Sequence, residues 1–470
     1  MLDELSGKRV VILGLARQGK ALARFAVAAG ADVVISDKRP ADMLAPEVEE
    51  IADLSLETVL GDHPMSLLED ADVLAISGGV PADLPLVKAA RERGIPITND
   101  SHEFMKRIKA QVIGITGSAG KTTTTSLTGA MVRASGKRAW VGGNIGRPLI
   151  SKLDQIRSGD VVVQELSSFQ LEQWTVSPPI AAILNITANH LDRHKTMSAY
   201  AEAKANILRY QRPDDIAVLS ADDAGADNLS SSVAGRLRRF SLELPVEDGA
   251  FVGQGKIWLR DADREWAVCD VDEIPLRGRH NVLNVLAAAV LADSAGITTD
   301  SIVRAIRGFE AVDHRLELVR ILNGVQYFND SIATSPERAI AALDSFVEPV
   351  ILLAGGRDKE MVWDEWARRV GERVRVVVLF GELAERLAEM LAVKAPAGQD
   401  TPRVIRATGL AEAVDVAAVI AQPGEVVLLA PGGTSYDSYV DFAERGESFR
   451  RFVRAQPEQH SERTVQDENS

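Results

Sequence analysis

Apolar residues along the chain fall into short runs separated by stretches with helical spacing. Arg9–Leu13 (RVVIL) reads as a buried strand, followed by Gly14 and a helical pattern over residues 17–29. Residues 32–36 form a second strand-like run that ends at Asp37, and residues 73–76 and 96–98 follow as further strands. Residues 112–116 restart the pattern, with a glycine-rich loop and a helix over 122–134, then strands at 161–164, 181–184 and 216–219. The stretch 229–273 is richer in strand and loop signals, and a long helix over 280–295 ends at Gly296, a C-terminal stop. Runs at 325–328, 350–353, 374–380, 404–405 and 426–429 alternate once more with helical patterns. Strands alternating with helices predict parallel α/β sheets.

The pattern predicts three domains: a Rossmann-like domain over 1–108, a central P-loop ATPase-type α/β domain over 109–310, and a second Rossmann-like domain over 311–456. Residues 457–470 are polar and predict a disordered tail. A length of 470 residues fits about three domains. With 46% hydrophobic and 26% charged residues, the chain has enough apolar material for several cores. A net charge of −14 argues against nucleic acid or an anionic membrane as the main partner, while leaving room for a local basic phosphate site. The single cysteine, Cys269, excludes an intramolecular disulfide framework and a cysteine-rich zinc site. The first nine residues are charged and lead straight into a strand-like run, and no apolar run is long enough to span a bilayer; a cytoplasmic protein is expected.

The sharpest chemical signal is Gly114-Ile115-Thr116-Gly117-Ser118-Ala119-Gly120-Lys121-Thr122, set between a strand and a helix. Glycines let backbone N–H groups turn toward phosphate oxygens, and the helix N-terminus adds a favourable dipole. Lys121 can face the β- and γ-phosphates and the Thr122 hydroxyl can ligate Mg²⁺. Ile115 stands where the strict Walker pattern has glycine. By contrast, Gly14 to Gly19 reads as a poor dinucleotide fingerprint, with two glycines at unsuitable spacing. Asp37 either faces a ribose or belongs to a plain Rossmann turn.

Downstream, Glu165 ends a strand beside the P-loop, either as a Mg²⁺ ligand or as an ordinary surface glutamate. His190 follows another strand end and shares that face. Lys204 lies in a helical segment, where a lysine is normally a solvated charge. Asn281 stands at a helix start, as a base or phosphate contact or as an N-cap. Arg315, at the second boundary, either reaches the γ-phosphate on domain closure or forms a surface ion pair.

With these residues go GGNIGRPL, ELSSFQLE, LNITANHLDRH, YAEAK, GRHNVLN, DHRLELV, FNDSIATSP, LLAGGRDK and APGGTSYDSYVDFAERGESF. Through them the sequence resembles the Mur ligases over nearly its whole length. The resemblance implies a UDP-sugar-binding, an ATP-binding and an amino-acid-binding domain. It implies that Gly117, Ser118, Ala119, Gly120, Lys121, Thr122 and Thr123 hold ATP, with Asn281, Arg315 and Asp330 as further nucleotide contacts. Thr122, Glu165, His190 and Lys204, the last as a carbamate, match a metal group; Lys121, Glu165, His190 and Lys204 match the catalytic set. Leu15, Ala16, Asp37, Lys38, Ser77, Gly78, Asn144 and Gln170 match UDP-sugar positions. Thr334, Lys359, Ser435, Tyr436 and Phe442 match the grip on the incoming amino acid.

The expected reaction is ATP- and Mg²⁺-dependent. The carboxylate of UDP-N-acetylmuramoyl-L-alanine becomes an acyl phosphate and is attacked by the amine of D-glutamate, in cell-wall precursor synthesis by a monomer. Alternatives are L-glutamate on the same acceptor, another Mur or folylpolyglutamate-type step, a non-catalytic UDP-sugar or nucleotide sensor, and a nicotinamide dehydrogenase, which the P-loop disfavours. Two departures stand out. Ser118-Ala119 replaces the usual middle of the phosphate loop, and Ile332 stands where many relatives carry lysine, leaving Arg338 or another cation to supply that charge.

Overall fold

The computed structural model describes residues 2–187, 191–393 and 402–458. They form two compact units, one of the described residues in 2–275 and 282–309, the other of those in 276–281 and 310–458. Three sheets carry the architecture, as the strand–helix alternation predicts.

The first sheet holds β1 (Arg9–Leu13), β2 (Asp32–Asp37), β3 (Glu57–Leu60), β4 (Val73–Ile76) and β5 (Ile97–Thr98) in the order β3-β2-β1-β4-β5. All its pairings are parallel, with Val10 opposite Val33 on one side and Val73 on the other. After Arg9, β1 is apolar and buried because helices cover both faces of a parallel sheet. The helix Arg17–Ala28 buries Gly19, Leu22, Ala23 and Ala26, a 3.6-residue stripe packed on Val10, Ile12 and Val33.

The second sheet lies in the same unit. Its strands are β6 (Gln111–Thr116), β7 (Ala139–Gly143), β8 (Val161–Glu165), β9 (Ile180–Ile183), β10 (Ile216–Ser220), β11 (Arg236–Ser241), β12 (Gly249–Gly253), β13 (Lys256–Arg260) and β14 (Glu265–Asp270). The order is β14-β13-β12-β11-β10-β9-β6-β8-β7, antiparallel only at the β12–β13–β14 end. The helix Lys121–Ala134 carries four consecutive threonines, weak helix formers. Burial of Thr124, Leu127, Thr128, Met131 and Val132 overrides that propensity. Gly129 lets the helix approach β7, where a Cβ would strike Val141.

The third sheet forms the second unit, with β15 (Glu317–Leu322), β16 (Val325–Asn329), β17 (Val350–Gly355), β18 (Val374–Phe380), β19 (Arg403–Arg406) and β20 (Val426–Gly432). Its order is β15-β16-β20-β17-β18-β19, with only β15 antiparallel. Trp363, Trp366 and Phe346 fill one face and Tyr327, Phe380 and Phe449 the other.

Strands β3, β7 and β15 were not anticipated, and each is an edge strand of its sheet. Half-exposed edges have no continuous apolar run: β3 is exposed or half-exposed throughout, and β7 ends in Gly142-Gly143. Of the tail expected at 457–470, residues 459–470 lie outside the described residues.

Candidate active site

In parallel α/β sheets ligands bind beyond the carboxyl ends of the strands, where the strand order reverses. The β6–β8 pair is such a point, and the loops after β6, β7, β8 and β9 bring its side chains together.

The phosphate loop turns into the helix Lys121–Ala134 at Gly120, whose φ of 81° is left-handed and whose Cβ would strike Asn284. Ile115, in place of the Walker glycine, is fully buried on β6 and leaves the loop itself untouched. One expectation is corrected. The amides of Ser118 and Ala119 do not point outward for phosphate: Ser118 N–H donates to the Asn185 carbonyl (3.0 Å) and Ala119 N–H to Asn185 Oδ1 (2.8 Å). Ser118 Oγ donates to the Thr187 carbonyl (3.0 Å) and lies 3.0 Å from the Tyr200 hydroxyl. Asn185, on the loop after β9, thus shapes the phosphate loop. The dipole and the first-turn amides from Gly120 to Thr123 remain the anion-facing features of the helix.

Lys121 Nζ folds back to donate to the Gly117 carbonyl (2.7 Å) and the Ser118 carbonyl (3.3 Å). The same Gly117 carbonyl accepts from Lys204 Nζ at 2.9 Å. Lys204 is not a solvated helix charge: it is 1% exposed, also donates to Thr116 Oγ1 (3.3 Å), and sits 4.7 Å from the Tyr200 ring centroid. Burial, reinforced by the charge of Lys121 and only partly offset by Glu165, pushes its pKa well below the lysine range.

Glu165 is likewise no surface residue, being 1% exposed. Asn144 holds it twice, by Nδ2 to Oε1 (2.9 Å) and by its amide to the Glu165 carbonyl (2.9 Å), while Arg17 donates to the Asn144 carbonyl (3.1 Å). Glu165 Oε2 has no protein partner, and neither do the buried amide atoms of Gln164 nor Gln170 Nε2. A buried carboxylate oxygen left unbonded, facing a phosphate loop, suits a hard cation that takes few protein ligands. With Thr122 on the adjoining helix, the residues present fit Mg²⁺. His190 lies outside the described residues.

Gln170 caps its own helix, its Oε1 accepting from Ser167 N–H (3.0 Å). Close by, a Ser168–His194–Glu172 chain (2.9 and 3.1 Å) went unnoticed in the sequence; the His194 ring stacks on Phe169 and anchors the segment that follows residue 190. A cavity of about 340 Å³ opens beside Phe169 and Arg193.

On the first sheet, β1, β2 and β4 lead into Leu15–Ala16, Asp37–Lys38 and Ser77–Gly78, around the β1–β4 switch. The spacing judgement on the first glycine pair is corrected. Gly14 takes a φ of 98°, and a Cβ on Gly19 would strike the Gly14 carbonyl, so the two perform the first and last tasks of a Rossmann turn, with Ala16 at the middle position. Asp37 accepts from Leu15 N–H (2.9 Å) and from Arg39 Nε and Nη2 (3.0 and 2.9 Å). Burial alone would raise its pKa, but Arg39 and the two amides outweigh it and hold it at about 2. Its carboxylate therefore closes the turn rather than standing open to a ribose.

In the second unit, Asp330, on the loop after β16, accepts from Leu316 N–H (3.0 Å), and burial lifts its pKa to about 6 against the pull of Arg315 and Arg338. Arg315 stands between His314 (φ 62°) and Leu316 (φ 44°), two non-glycine residues in the left-handed region, a strain that tends to mark functional backbone. Asn281 lies inside the helix Arg279–Ser294 rather than at its cap, with Nδ2 donating to the Arg277 carbonyl (2.7 Å). Of the amino-acid set, Thr334 follows β16, Lys359 follows β17, and Ser435 and Tyr436 follow β20; Lys359 Nζ lies 5.5 Å from the Tyr436 ring. The Phe442 carbonyl accepts from Ser331 Oγ (2.8 Å). Arg338 is exposed, whereas Arg445, which the sequence reading passed over, is wholly buried beside Ser331.

Comparison with known proteins places these three sheets. The Mur ligase MurD-like N-terminal domain matches residues 8–99, the Mur ligase middle domain residues 115–292, and the Mur ligase glutamate ligase domain residues 314–433. The chain is 39% identical to a UDP-N-acetylmuramoylalanine–D-glutamate ligase of Pelotomaculum thermopropionicum, covering 96% of this chain and 99% of that one. It is 41% identical to a protein of the same name from Symbiobacterium thermophilum, covering 95% and 98%. Among solved structures, a UDP-N-acetylmuramate–alanine ligase from Thermotoga maritima shares the fold at a TM-score of 0.59 and 20% identity, covering 96% of this chain and all of that one. A MurF ligase from Thermotoga maritima in complex with ADP does so at 0.56 and 19%, covering 96% of each.

Proposed function

The chain belongs to the Mur ligase family, and from that premise we propose that it joins D-glutamate to UDP-N-acetylmuramoyl-L-alanine at the expense of ATP, in the cytoplasmic assembly of cell-wall precursors. One observation supports this most: a phosphate loop, a buried carboxylate with an unbonded oxygen and a buried low-pKa lysine meet at adjoining strand ends. Amide formation from a carboxylate needs such a site, because carboxylate and amine do not condense at neutral pH. A carboxylate oxygen attacks the γ-phosphorus, the bond to ADP breaks, and an acyl phosphate forms. The glutamate amine then attacks the acyl carbon, loses a proton, and phosphate leaves.

In this reading ATP phosphates lie on the helix N-terminus at Gly120–Thr123, and Lys121 leaves the Gly117 carbonyl to neutralise the transferring group. Burial lowers the pKa of Lys204 and so makes its free amine, whose electron pair can attack CO₂, easier to form; the amine gains a carboxyl, loses a proton and becomes an anion. Thr122, Glu165 and carbamylated Lys204 would then hold Mg²⁺, which when bound supplies positive charge to the phosphates. Asn144 orients Glu165 for that task, and the UDP-sugar occupies the strand ends of the first sheet. Glutamate is held by the loops that carry Thr334, Lys359, Ser435 and Tyr436. No helix among the described residues is long and apolar enough to cross a membrane.

A coupled ADP-release assay with UDP-N-acetylmuramoyl-L-alanine and either glutamate enantiomer tests the proposal. ADP release with D-glutamate and none with L-glutamate is expected. Release with L-glutamate alone would move the enzyme to the other stereochemistry, and release with neither would overturn the reading.

A further inference from the structure

Three neighbouring strands of the second unit, β16, β20 and β17, end in the loops that carry Thr334, Ser435–Tyr436 and Lys359. A single side chain reaches all three loops. Arg445, on the helix Phe442–Ala455, is 0% exposed. Its Nε donates to Ser331 Oγ (3.0 Å) and its Nη2 to the Ser331 carbonyl (2.9 Å), on the loop after β16. Nη1 and Nη2 both donate to the Gly433 carbonyl (3.2 Å each), at the end of β20. Nη1 also lies against Gly356, where a Cβ would stand 3.0 Å away, at the end of β17.

Every acceptor is a neutral oxygen. Among the described residues no carboxylate comes within ion-pair distance of this guanidinium, although most other arginines of the unit, such as Arg357, Arg368 and Arg450, are paired. Asp437 acts on it only at longer range. A buried arginine without a counter-ion is costly, and a methionine of similar length would fill the same space more cheaply if packing were its only task. The guanidinium keeps its charge under all physiological conditions, and its planar fork fixes two loops at once. The loop it grips carries the aliphatic Ile332 beside Ser331, so that position offers no cation of its own.

We propose that Arg445 is the positioning residue of the amino-acid pocket: it sets the loops after β16, β20 and β17 in register, and its uncompensated charge favours a dicarboxylate amino acid there. The proposal rests on the assignment of glutamate to these loops. Arg445 itself need not touch the ligand.

The test is steady-state kinetics on the full-length enzyme and on R445M, R445K and the R445M/I332K double variant, each checked for folding by thermal melting. R445M is expected to raise the KM for D-glutamate about tenfold or more, with the KM values for ATP and UDP-N-acetylmuramoyl-L-alanine changed less than about twofold. The double variant, with a new cation one residue from Ser331, is expected to recover part of that loss. R445K keeps the charge without the fork and is expected to fall between wild type and R445M. A structural stitch alone would lower the melting temperature and the active fraction while leaving the glutamate KM in place. A folded R445M with an unchanged glutamate KM would overturn the proposal. If R445M does not fold, R445K decides: an unchanged glutamate KM overturns it and a rise of about threefold or more supports it. A wild-type enzyme that turns over neither enantiomer would instead remove the functional reading on which this rests.

Discussion

Among the described residues, each unit has a cation buried among neutral oxygens, Lys204 in one and Arg445 in the other, and the two differ in what their surroundings can do to them. Lys204 in the first unit donates to Thr116 Oγ1 and the Gly117 carbonyl beside the Tyr200 ring; Arg445 in the second donates to Ser331 and Gly433. An ammonium answers burial by giving up its proton, and so becomes a nucleophile open to covalent change. For Arg445 burial lowers the pKa only to about 10, so the charge persists at neutral pH. Similar burial therefore makes one position chemically convertible and the other a fixed electrostatic element. A third arrangement, Asp37 bonded to Arg39, shows the ordinary case in which the buried charge has a partner.

The largest expected effect comes from breaking this distinction at residue 204. Lys204→Arg keeps a cation but removes the amine that reacts with CO₂, and turnover should fall on the order of a thousandfold. Lys204→Ala should fall as far, with partial recovery when a short carboxylic acid is added, read by ADP release. Recovery of Lys204→Ala by acetate but none of Lys204→Arg would confirm that an anion is needed there; full activity of Lys204→Arg would refute it. The kinetic test of Arg445 comes next in size.

Asp330 sharpens the comparison from the acid side, since it is a buried carboxylate next to the Arg445 loop. Its folded pKa of about 6 exceeds the ordinary 3.8, so the folded state prefers the protonated form. The stability this contributes is complete below about pH 4 and is lost as pH rises through about 6. Asp330→Asn should therefore gain stability over wild type as pH rises, on the order of 2 to 3 kcal/mol by pH 8. Urea midpoints at pH 4.5 and pH 8 would show it; equal differences at both would sink the assignment.

Asp37 should behave in the opposite sense and more weakly. Its folded pKa of about 2 lies below the ordinary value, so its contribution is present above about pH 4 and lost as pH falls through 2. Asp37→Asn should cost about 1 to 2 kcal/mol at neutral pH, with the loss shrinking in acid.

The buried strands of all three sheets could be read from the chain because most carry a short apolar run, as in residues 10–13 and 376–380. The edge strands β3, β7 and β15 could not, since half-exposed residues carry no such run. The phosphate loop was equally legible, because strand, glycines, lysine and helix are contiguous. Its amide directions were not: they depend on Asn185, sixty-six residues from Ala119.

Local order along the chain determined the element types, the three-sheet plan and the phosphate loop, because backbone preferences and apolar periodicity act over a few residues. Only the tertiary structure decided that Lys204 and Glu165 are buried, that Asp37 is already bonded, and that Arg445 joins three loops. Burial and charge pairing depend on groups from distant parts of the chain, and the environment they build, rather than the residue type, sets the chemistry of each side chain.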